Sequence, residues 1–141
     1  MELKGERAAV ASGMPKSGLF LLVGHPKTGK TQLAVSFPGA YTLELEPHGA
    51  DYVSGRIHEV ENMASFREVL KTAVGDDKIK TIVIDTVDKV SDWIEDEVAA
   101  EMGLASISDT QKGVDGFEKW GRFRTRIEGL VGYLQASKKL V

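Results

Sequence analysis

The sequence predicts an α/β fold, with helices on both faces of a mainly parallel sheet in a three-layer α/β/α arrangement. Two short apolar runs, at residues 19–23 and Thr81–Asp85, have the length and composition of strands that are buried on both faces. Between and after these runs, apolar residues recur at helical spacing. Strands that alternate with helices are typical of parallel sheets, because parallel strands need a crossover connection.

Composition and charge restrict the class of protein. A chain of 141 residues, 42% hydrophobic and 28% charged, is expected to form one globular domain. We assign residues 18–141 to this domain and the polar residues 1–17 to a flexible arm. The net charge of −3 argues against a basic nucleic-acid coat, and the absence of cysteine excludes disulfides and thiolate metal sites. The sequence has neither a membrane-spanning run nor a signal-peptide pattern, so we expect a cytoplasmic protein.

The first half is predicted to contain, in order, a strand, a glycine-rich loop, a helix and two further strands: residues 19–23, 24–29, 29–37, 41–46 and 56–60. Pro38 and Gly39 should stop the helix, because proline cannot continue it and glycine favours its end. Alternating apolar and polar side chains identify the strand at 41–46, which Pro47 ends.

The second half is predicted to contain a helix, a strand, a helix, a polar loop and a last helix: residues 63–74, 81–85, 87–102, 104–116 and 117–134. Asn62 and Thr86 can cap the first two of these helices, and Gly75 can end the first. Leu140 and Val141 resemble the beginning of another strand.

A glycine-rich motif follows the first predicted strand. Residues 24–31 read GHPKTGKT and match G-x-x-x-x-G-K-[ST] at every fixed position. Glycines allow close backbone approaches, so that successive N–H groups can surround an anion. Lys30 can reach the β- and γ-phosphates of a nucleotide, and Thr31 can offer its hydroxyl to magnesium. With ATP and Mg²⁺ as the expected ligands, the predicted nucleotide-binding residues are Gly24, His25, Pro26, Lys27, Thr28, Gly29, Lys30, Thr31 and Gln32.

Two carboxylates are candidates for the rest of the site. Asp85 ends a buried strand, where it can hold magnesium opposite Thr31 at the carboxyl edge of the sheet. Glu46 ends the strand at 41–46 and could orient a water toward the γ-phosphate. Glu44 points to the same strand face but lies two residues deeper. We therefore predict Lys30 and Glu46 as catalytic residues, with Thr31 and Asp85 as metal ligands.

The arrangement of these motifs resembles the RecA-like recombinase ATPases. It is most similar to the small phage AAA-type ATPases that work with single-strand annealing or recombination proteins. The resemblance lies in GHPKTGKT at 24–31, LELEPHGADY at 43–52 and TIVIDTVDKV at 81–90. In the family pattern a catalytic glutamate ends the second strand, where Glu46 falls. An aspartate followed by Ser or Thr ends the Walker B strand, as Asp85 and Thr86 do.

The resemblance implies a magnesium-dependent ATPase of phage-type DNA recombination, acting as a homo-oligomer in a bacterial cytoplasm. Its implied partners are single-stranded DNA and a recombination or single-strand-binding protein. The family pattern also has a sensor strand after the last helix, lying between the strands at 19–23 and 81–85. Only Leu140 and Val141 remain to form it. We therefore expect an incomplete RecA-like core with its C-terminal strands missing, which hydrolyses ATP poorly and self-associates.

The loop at 104–116 faces DNA in the RecA-like pattern. Lys112 is its only cation, and Asp109 and Asp115 oppose it. We therefore expect the chain alone to bind single-stranded DNA weakly and in a salt-sensitive way.

Two other functions fit the sequence. A small-molecule kinase would need an arginine-rich lid, and a nucleotide-dependent binding module would show little turnover. Basic residues of the last helix could imitate a lid: Lys119, Arg122, Arg124 and Arg126. Three of them, Lys119, Arg122 and Arg126, share one face that could meet phosphates, although such a face is usually only solvated. Aromatic residues of the same helix are expected in the core: Phe117, Trp120 and Phe123.

Overall fold

The computed structural model describes residues 15–110, 113 and 115–141. Its helices and strands are α1 (Lys30–Val35), β1 (Ala40–Glu44), β2 (Arg56–Glu59), α2 (Met63–Gly75), β3 (Thr81–Asp85), α3 (Val87–Glu101) and α4 (Gly116–Ala136). Most of the arm predicted at 1–17 lies outside this part of the chain, as does Lys112 of the polar loop. Among the described residues, no helix is long and apolar enough to cross a bilayer.

The three strands form a parallel sheet in the order β2-β1-β3. Glu44, the last residue of the central strand, lies in register with Glu59 of β2 and Asp85 of β3. The pairing continues one residue further, since the N–H of Leu45 donates to the carbonyl of Asp85 at 2.7 Å. The carboxyl ends of all three strands therefore meet at one edge of the sheet, the edge at which ligands bind in open α/β folds.

Leu140 extends the sheet beyond β3. It forms parallel bridges to Thr81 on one side and to Gly18 on the other. The N–H of Ile82 donates to the carbonyl of Leu140 at 2.8 Å, and the N–H of Val141 donates to the carbonyl of Gly18 at 2.9 Å. The family resemblance implied a strand after the last helix, between the first strand and β3, and Leu140 lies in that position.

Residues 19–23 do not form the predicted strand. In the described part of the chain their ladder bonds stop at Phe20, whose N–H donates to the carbonyl of Val141 at 2.7 Å. The side chains of Leu21 and Val23 are 75% and 83% exposed. A buried strand needs hydrogen-bonded neighbours along its whole length, and here the neighbouring backbone reaches only its first residues.

Each face of the sheet carries helices. Leu43 and Leu45 of the central strand region pack in the main core. Helices α2, α3 and α4 supply much of the rest of that core: Met63, Phe66, Leu70, Ala73, Val90, Ile94 and Leu134. Because side chains alternate along a strand, Thr42, Glu44 and Asp85 lie on the opposite face, where α1 contacts β1 and β3. The predicted α/β fold with a parallel sheet is therefore confirmed.

Asn62 and Thr86 were both predicted to cap the helices that follow them, α2 and α3. Only Asn62 makes a side-chain cap bond. At the start of α2, the N–H of Ser65 donates to Asn62 Oδ1 at 2.9 Å, and Ser65 Oγ accepts from the N–H of Asn62 at 3.3 Å. Thr86 precedes α3, but its hydroxyl makes no cap bond. Thr86 therefore occupies the predicted N-cap position of α3, but the expected side-chain cap bond is absent because its hydroxyl donates to Glu46, which follows another strand.

The aromatic residues of α4 differ in burial. Phe123 packs against the core, whereas Phe117 is 90% exposed and Trp120 is also exposed. Trp120 meets Phe123 edge to face, with ring centroids 5.8 Å apart. The prediction of three core aromatics was therefore wrong for two of them. Helical spacing identifies a stripe of side chains, while burial requires that a neighbour cover each turn of it.

Candidate functional site

The phosphate loop, residues 24–31, leads from the 19–23 segment into α1. Gly29, just before α1, has a φ of 86°, in the left-handed region that glycine adopts without strain. A Cβ on Gly24 would lie 3.2 Å from Thr28 Oγ1. That hydroxyl donates to the carbonyl of His25 at 2.8 Å, so it is fixed inside the loop. The shape of the loop thus accounts for both glycines of the motif.

Lys30 lies folded over its own loop. Its Nζ donates to the carbonyls of Gly24 at 2.8 Å and His25 at 2.9 Å. An ammonium has three protons to donate, and these two bonds use two of them. The positive charge is therefore held against the loop backbone.

Thr31 and Asp85 meet although they belong to different elements. Thr31 Oγ1, in the first turn of α1, donates to Asp85 Oδ2 at 2.6 Å. Asp85 is the last residue of β3, and its peptide bond to Thr86 is cis. The hydrogen bond between Thr31 and Asp85 holds a hydroxyl and a carboxylate at one point, partly shielded from solvent.

Glu46 lies just beyond the end of β1, at the same edge of the sheet as Asp85. Its Oε1 accepts a hydrogen bond from Thr86 Oγ1 at 3.4 Å. Glu46 is exposed, and Thr86 directly follows Asp85 in the chain. The two carboxylates singled out in the sequence therefore lie at one edge of the sheet and are linked through Thr86.

Glu44 makes a contact that the sequence analysis missed. Its side chain is buried at 5% exposure, and its Oε1 accepts a hydrogen bond from the N–H of Ala50. Between them, the N–H of Gly49 donates to the carbonyl of Glu46 at 3.2 Å. The sequence offered one signal: Glu44 lies near the end of a strand, shortly before the turn residues Pro47 and Gly49. A turn can supply the backbone N–H donors that a buried carboxylate needs.

The arginines of α4 bind acidic side chains. Arg126 Nη1 donates to Glu97 at 3.0 Å, and its Nη2 donates to Glu101. Arg122 Nη2 donates to Glu118 at 2.7 Å, and Nη1 lies 3.8 Å from Glu101. The predicted basic face is therefore neutralised by carboxylates of α3 and α4.

Lys119 is also removed from that face. It is buried, and its Nζ donates to the carbonyl of Asp109 at 2.7 Å. Lys119 therefore anchors the polar loop to α4 and does not present a charge to solvent. Helical spacing could not reveal this contact, because it depends on the path of the loop.

Arg67 of α2 extends the ion pairs to a third helix. Its two terminal nitrogens donate to the two carboxylate oxygens of Glu97 at 2.8 and 2.7 Å. This hydrogen bond raises the pKa of Arg67, although partial burial acts against the rise. We refer to Arg67, Glu97, Arg126, Glu101 and Arg122 as the arginine–glutamate network.

Three further residues of the predicted binding loop are exposed: Pro26, Lys27 and Gln32. Lys27 has a φ of 64°, in the left-handed region. The structure thus brings Lys30 against the loop, Thr31 against Asp85 and Glu46 against Thr86, while these three side chains face solvent.

Residues 19–141 match the sequence model of a protein family described as the AAA domain. No curated protein and no solved structure matched the chain. The matched span contains the phosphate loop, Glu46, Asp85 and every helix of the described fold.

Proposed function

Because the chain belongs to the AAA domain family of P-loop ATPases, we propose that it binds ATP with magnesium at the phosphate loop and hydrolyses it. The observation that carries this proposal is the 2.6 Å hydrogen bond between the Thr31 hydroxyl and the Asp85 carboxylate. It supports the proposal because P-loop ATPases hold magnesium between a Ser or Thr at the end of the phosphate loop and an Asp at the end of a strand.

The backbone of the phosphate loop and Lys30 bind the phosphates in this proposal. The ammonium of Lys30 exchanges the carbonyls of Gly24 and His25 for the β- and γ-phosphates. The exchange replaces neutral carbonyl acceptors with anionic phosphate oxygens, which attract the ammonium by opposite charge as well. It also releases the loop carbonyls from the lysine.

Thr31 and Asp85 fit a magnesium ion, which prefers hard oxygen ligands and keeps several waters. Among the described residues, no group of three or more His, Cys, Asp or Glu could hold a metal. The remaining ligands in this proposal are therefore water and phosphate oxygens. When bound, magnesium neutralises charge on the β- and γ-phosphates. The Thr31 hydroxyl would turn its proton away from Asp85 and offer its oxygen to the ion, and Asp85 would hold the ion from the opposite side, usually through a water.

We assign Glu46 the role of orienting the attacking water. It is exposed at the edge of the sheet that holds Asp85, and one of its oxygens accepts from Thr86. That bond, although long, favours one orientation of the carboxylate. The second oxygen can then accept a hydrogen bond from water and direct it toward the γ-phosphate.

Replacing Lys30 by alanine tests the central proposal. Loss of the ammonium should weaken ATP binding by about tenfold or more, since charge-assisted bonds to the phosphates are removed. Isothermal titration with a non-hydrolysable ATP analogue and magnesium measures the change. Lys78→Ala is the matched control. Lys78 is exposed and lies just before the start of β3, at the end of the strand that is opposite to Asp85. Equal affinity in Lys30→Ala and Lys78→Ala would refute nucleotide binding at this loop.

We further propose that the ATPase acts in phage-type DNA recombination. It would work there as a homo-oligomer with single-stranded DNA and a recombination or single-strand-binding protein. Support comes from the motif resemblance at residues 24–31, 43–52 and 81–90.

The chain alone should bind single-stranded DNA weakly. Arg122 and Arg126 pair with acidic residues, and Lys119 is buried. These three cations are therefore not presented to a phosphate backbone. Fluorescence anisotropy with a labelled oligonucleotide should show binding at low salt that is lost at physiological salt. Tight binding at physiological salt would contradict this expectation.

Of the two alternative functions, the small-molecule kinase is the less consistent with the contacts of α4. A kinase lid would need free arginines, and the pairing of Arg122 and Arg126 argues against it. A nucleotide-dependent binding module with little turnover shares the same loop and carboxylates. Measuring ATP affinity and hydrolysis on one preparation separates the alternatives, because tight binding without turnover would favour the binding module.

A further inference from the structure

We infer that Glu44 is a positioning residue, which holds the turn at residues 46–50 and thereby sets the location of Glu46. This inference rests on the proposed role of Glu46 in orienting water. Glu44 itself does not contact the substrate in this scheme. Its carboxylate acts through the backbone of the turn.

The first support is the burial and bonding of the Glu44 carboxylate. Its side chain lies inside the fold, and its Oε1 accepts from the N–H of Ala50, which is itself buried. A buried carboxylate without donors is strongly unfavourable. This hydrogen bond therefore fixes the end of the turn to the central strand.

The second support is the shape of the turn. The N–H of Gly49 donates to the carbonyl of Glu46 at 3.2 Å, which closes the turn. A Cβ on Gly49 would lie 3.3 Å from that carbonyl oxygen and 3.4 Å from Glu44 Oε1. Glycine at this position therefore lets the backbone approach the Glu44 carboxylate closely.

The third support is the position of Glu46 in the segment between the two fixed points. On one side, the N–H of Leu45 donates to the carbonyl of Asp85. On the other side, Ala50 is bound to Glu44. Glu46 lies within this segment, so loss of the Glu44–Ala50 bond would free one end of the turn and let Glu46 move away from Thr86.

The test compares two substitutions of Glu44. Glu44→Met keeps approximately the size of the side chain but removes the acceptor, whereas Glu44→Gln keeps an acceptor oxygen for the N–H of Ala50. Glu59→Met is the matched control, because Glu59 lies in register with Glu44 on β2 and is exposed.

Two measurements are made on the full chain. Amide hydrogen exchange at Ala50 reports on the turn without any nucleotide. It should become about tenfold faster or more in Glu44→Met, the factor expected for losing a hydrogen bond to a charged group. The kcat for ATP should fall by about 10- to 100-fold in the same variant, since small displacements of a catalytic group have effects of that size. Affinity for a non-hydrolysable analogue should stay unchanged, because the phosphate loop is not altered.

Glu44→Gln should recover most of both the protection and the kcat. The inference is overturned if Ala50 remains protected in Glu44→Met, or if Glu44→Gln loses activity as fully as Glu44→Met, since the charge would then matter and not the bond. Failure of the proposed function is a separate outcome. Normal hydrolysis by Glu46→Gln would remove the catalytic role of Glu46, while hydrogen exchange at Ala50 would still decide whether Glu44 holds the turn.

Discussion

Glu46 and Asp85 lie at one edge of the sheet, but their surroundings differ. Asp85 is bonded to a hydroxyl of the phosphate-loop helix, and Glu46 is exposed and bonded only weakly to Thr86, at 3.4 Å. Substitution of the two carboxylates should therefore affect different steps of the proposed reaction.

Glu46→Gln should keep ATP binding and slow hydrolysis by about 100-fold, the scale of general-base contributions. Asp85→Asn should instead weaken binding in the presence of magnesium and change it little in EDTA. Binding and single-turnover hydrolysis measured on both variants separate the effects. Glu59→Gln, at an exposed strand-end acid, is the control. Hydrolysis by Glu46→Gln at the wild-type rate would assign the water to another residue.

At the residue scale, the sequence was informative where chemistry fixes the spacing. The loop pattern and the carboxylate at the end of a buried run singled out Thr31 and Asp85, and the structure brings these two side chains into a hydrogen bond. Contacts of Glu44 and Thr86 were not predictable in the same way. Each depends on which backbone or side chain a separate segment brings near, and no local pattern records that.

At the element scale, the arginine–glutamate network joins α2, α3 and α4. Glu97 accepts from both Arg67 and Arg126, so it is the central acid of the network. These side chains are only partly buried. Each pair should therefore contribute modestly, and the contribution should depend on salt.

Glu97→Gln should lower the free energy of unfolding by about 1 kcal/mol at low salt, the upper range for a partly exposed pair. Urea unfolding with and without high salt measures this value, and the difference from wild type should shrink as salt rises. Asp96→Asn is the control, since Asp96 is the exposed neighbour of Glu97 on α3. A loss that is independent of salt would show that packing, and not charge, explains the effect.

Elements with complete local signals were predicted well. Asn62 and Gly75 bound α2 as expected, and β3 has the predicted limits. The run at 19–23 has the composition of a strand, yet it lacks a ladder beyond Phe20. Composition reports only that a segment suits a sheet, whereas strand formation also requires a neighbouring backbone.

At the scale of the whole molecule, the 19–23 segment leaves apolar side chains on the surface. Leu21 and Val23 are its most exposed members. Contiguous exposed apolar patches promote association, as do unpaired strand edges.

We therefore expect the chain to self-associate at micromolar concentrations, and the double variant Leu21→Lys, Val23→Lys to reduce this association. Sedimentation velocity measures both. Phe117→Lys is the control, because Phe117 is an apolar residue that is at least as exposed and lies on a different part of the fold. A monomeric wild-type chain, or equal association in the double variant, would contradict the expectation.

The order of the sheet could be anticipated from the motifs, because the resemblance placed a later strand between the first strand and β3. Leu140 lies there. The burial of residues 19–23 could not be anticipated, since it depends on how much backbone pairs on each side of a strand.

The bridges of Leu140 also have a consequence for the timing of folding. The segment that enters the phosphate loop is held by Lys139 and Val141, which accept from the N–H groups of Gly18 and Phe20. Ribosomes add roughly 5–20 residues per second, so the loop emerges on the order of ten seconds before its backbone support. Until then the segment that enters the loop lacks these two backbone bonds. During synthesis, the ability to capture nucleotide should therefore appear late and abruptly, although its motif is made well before residues 139–141.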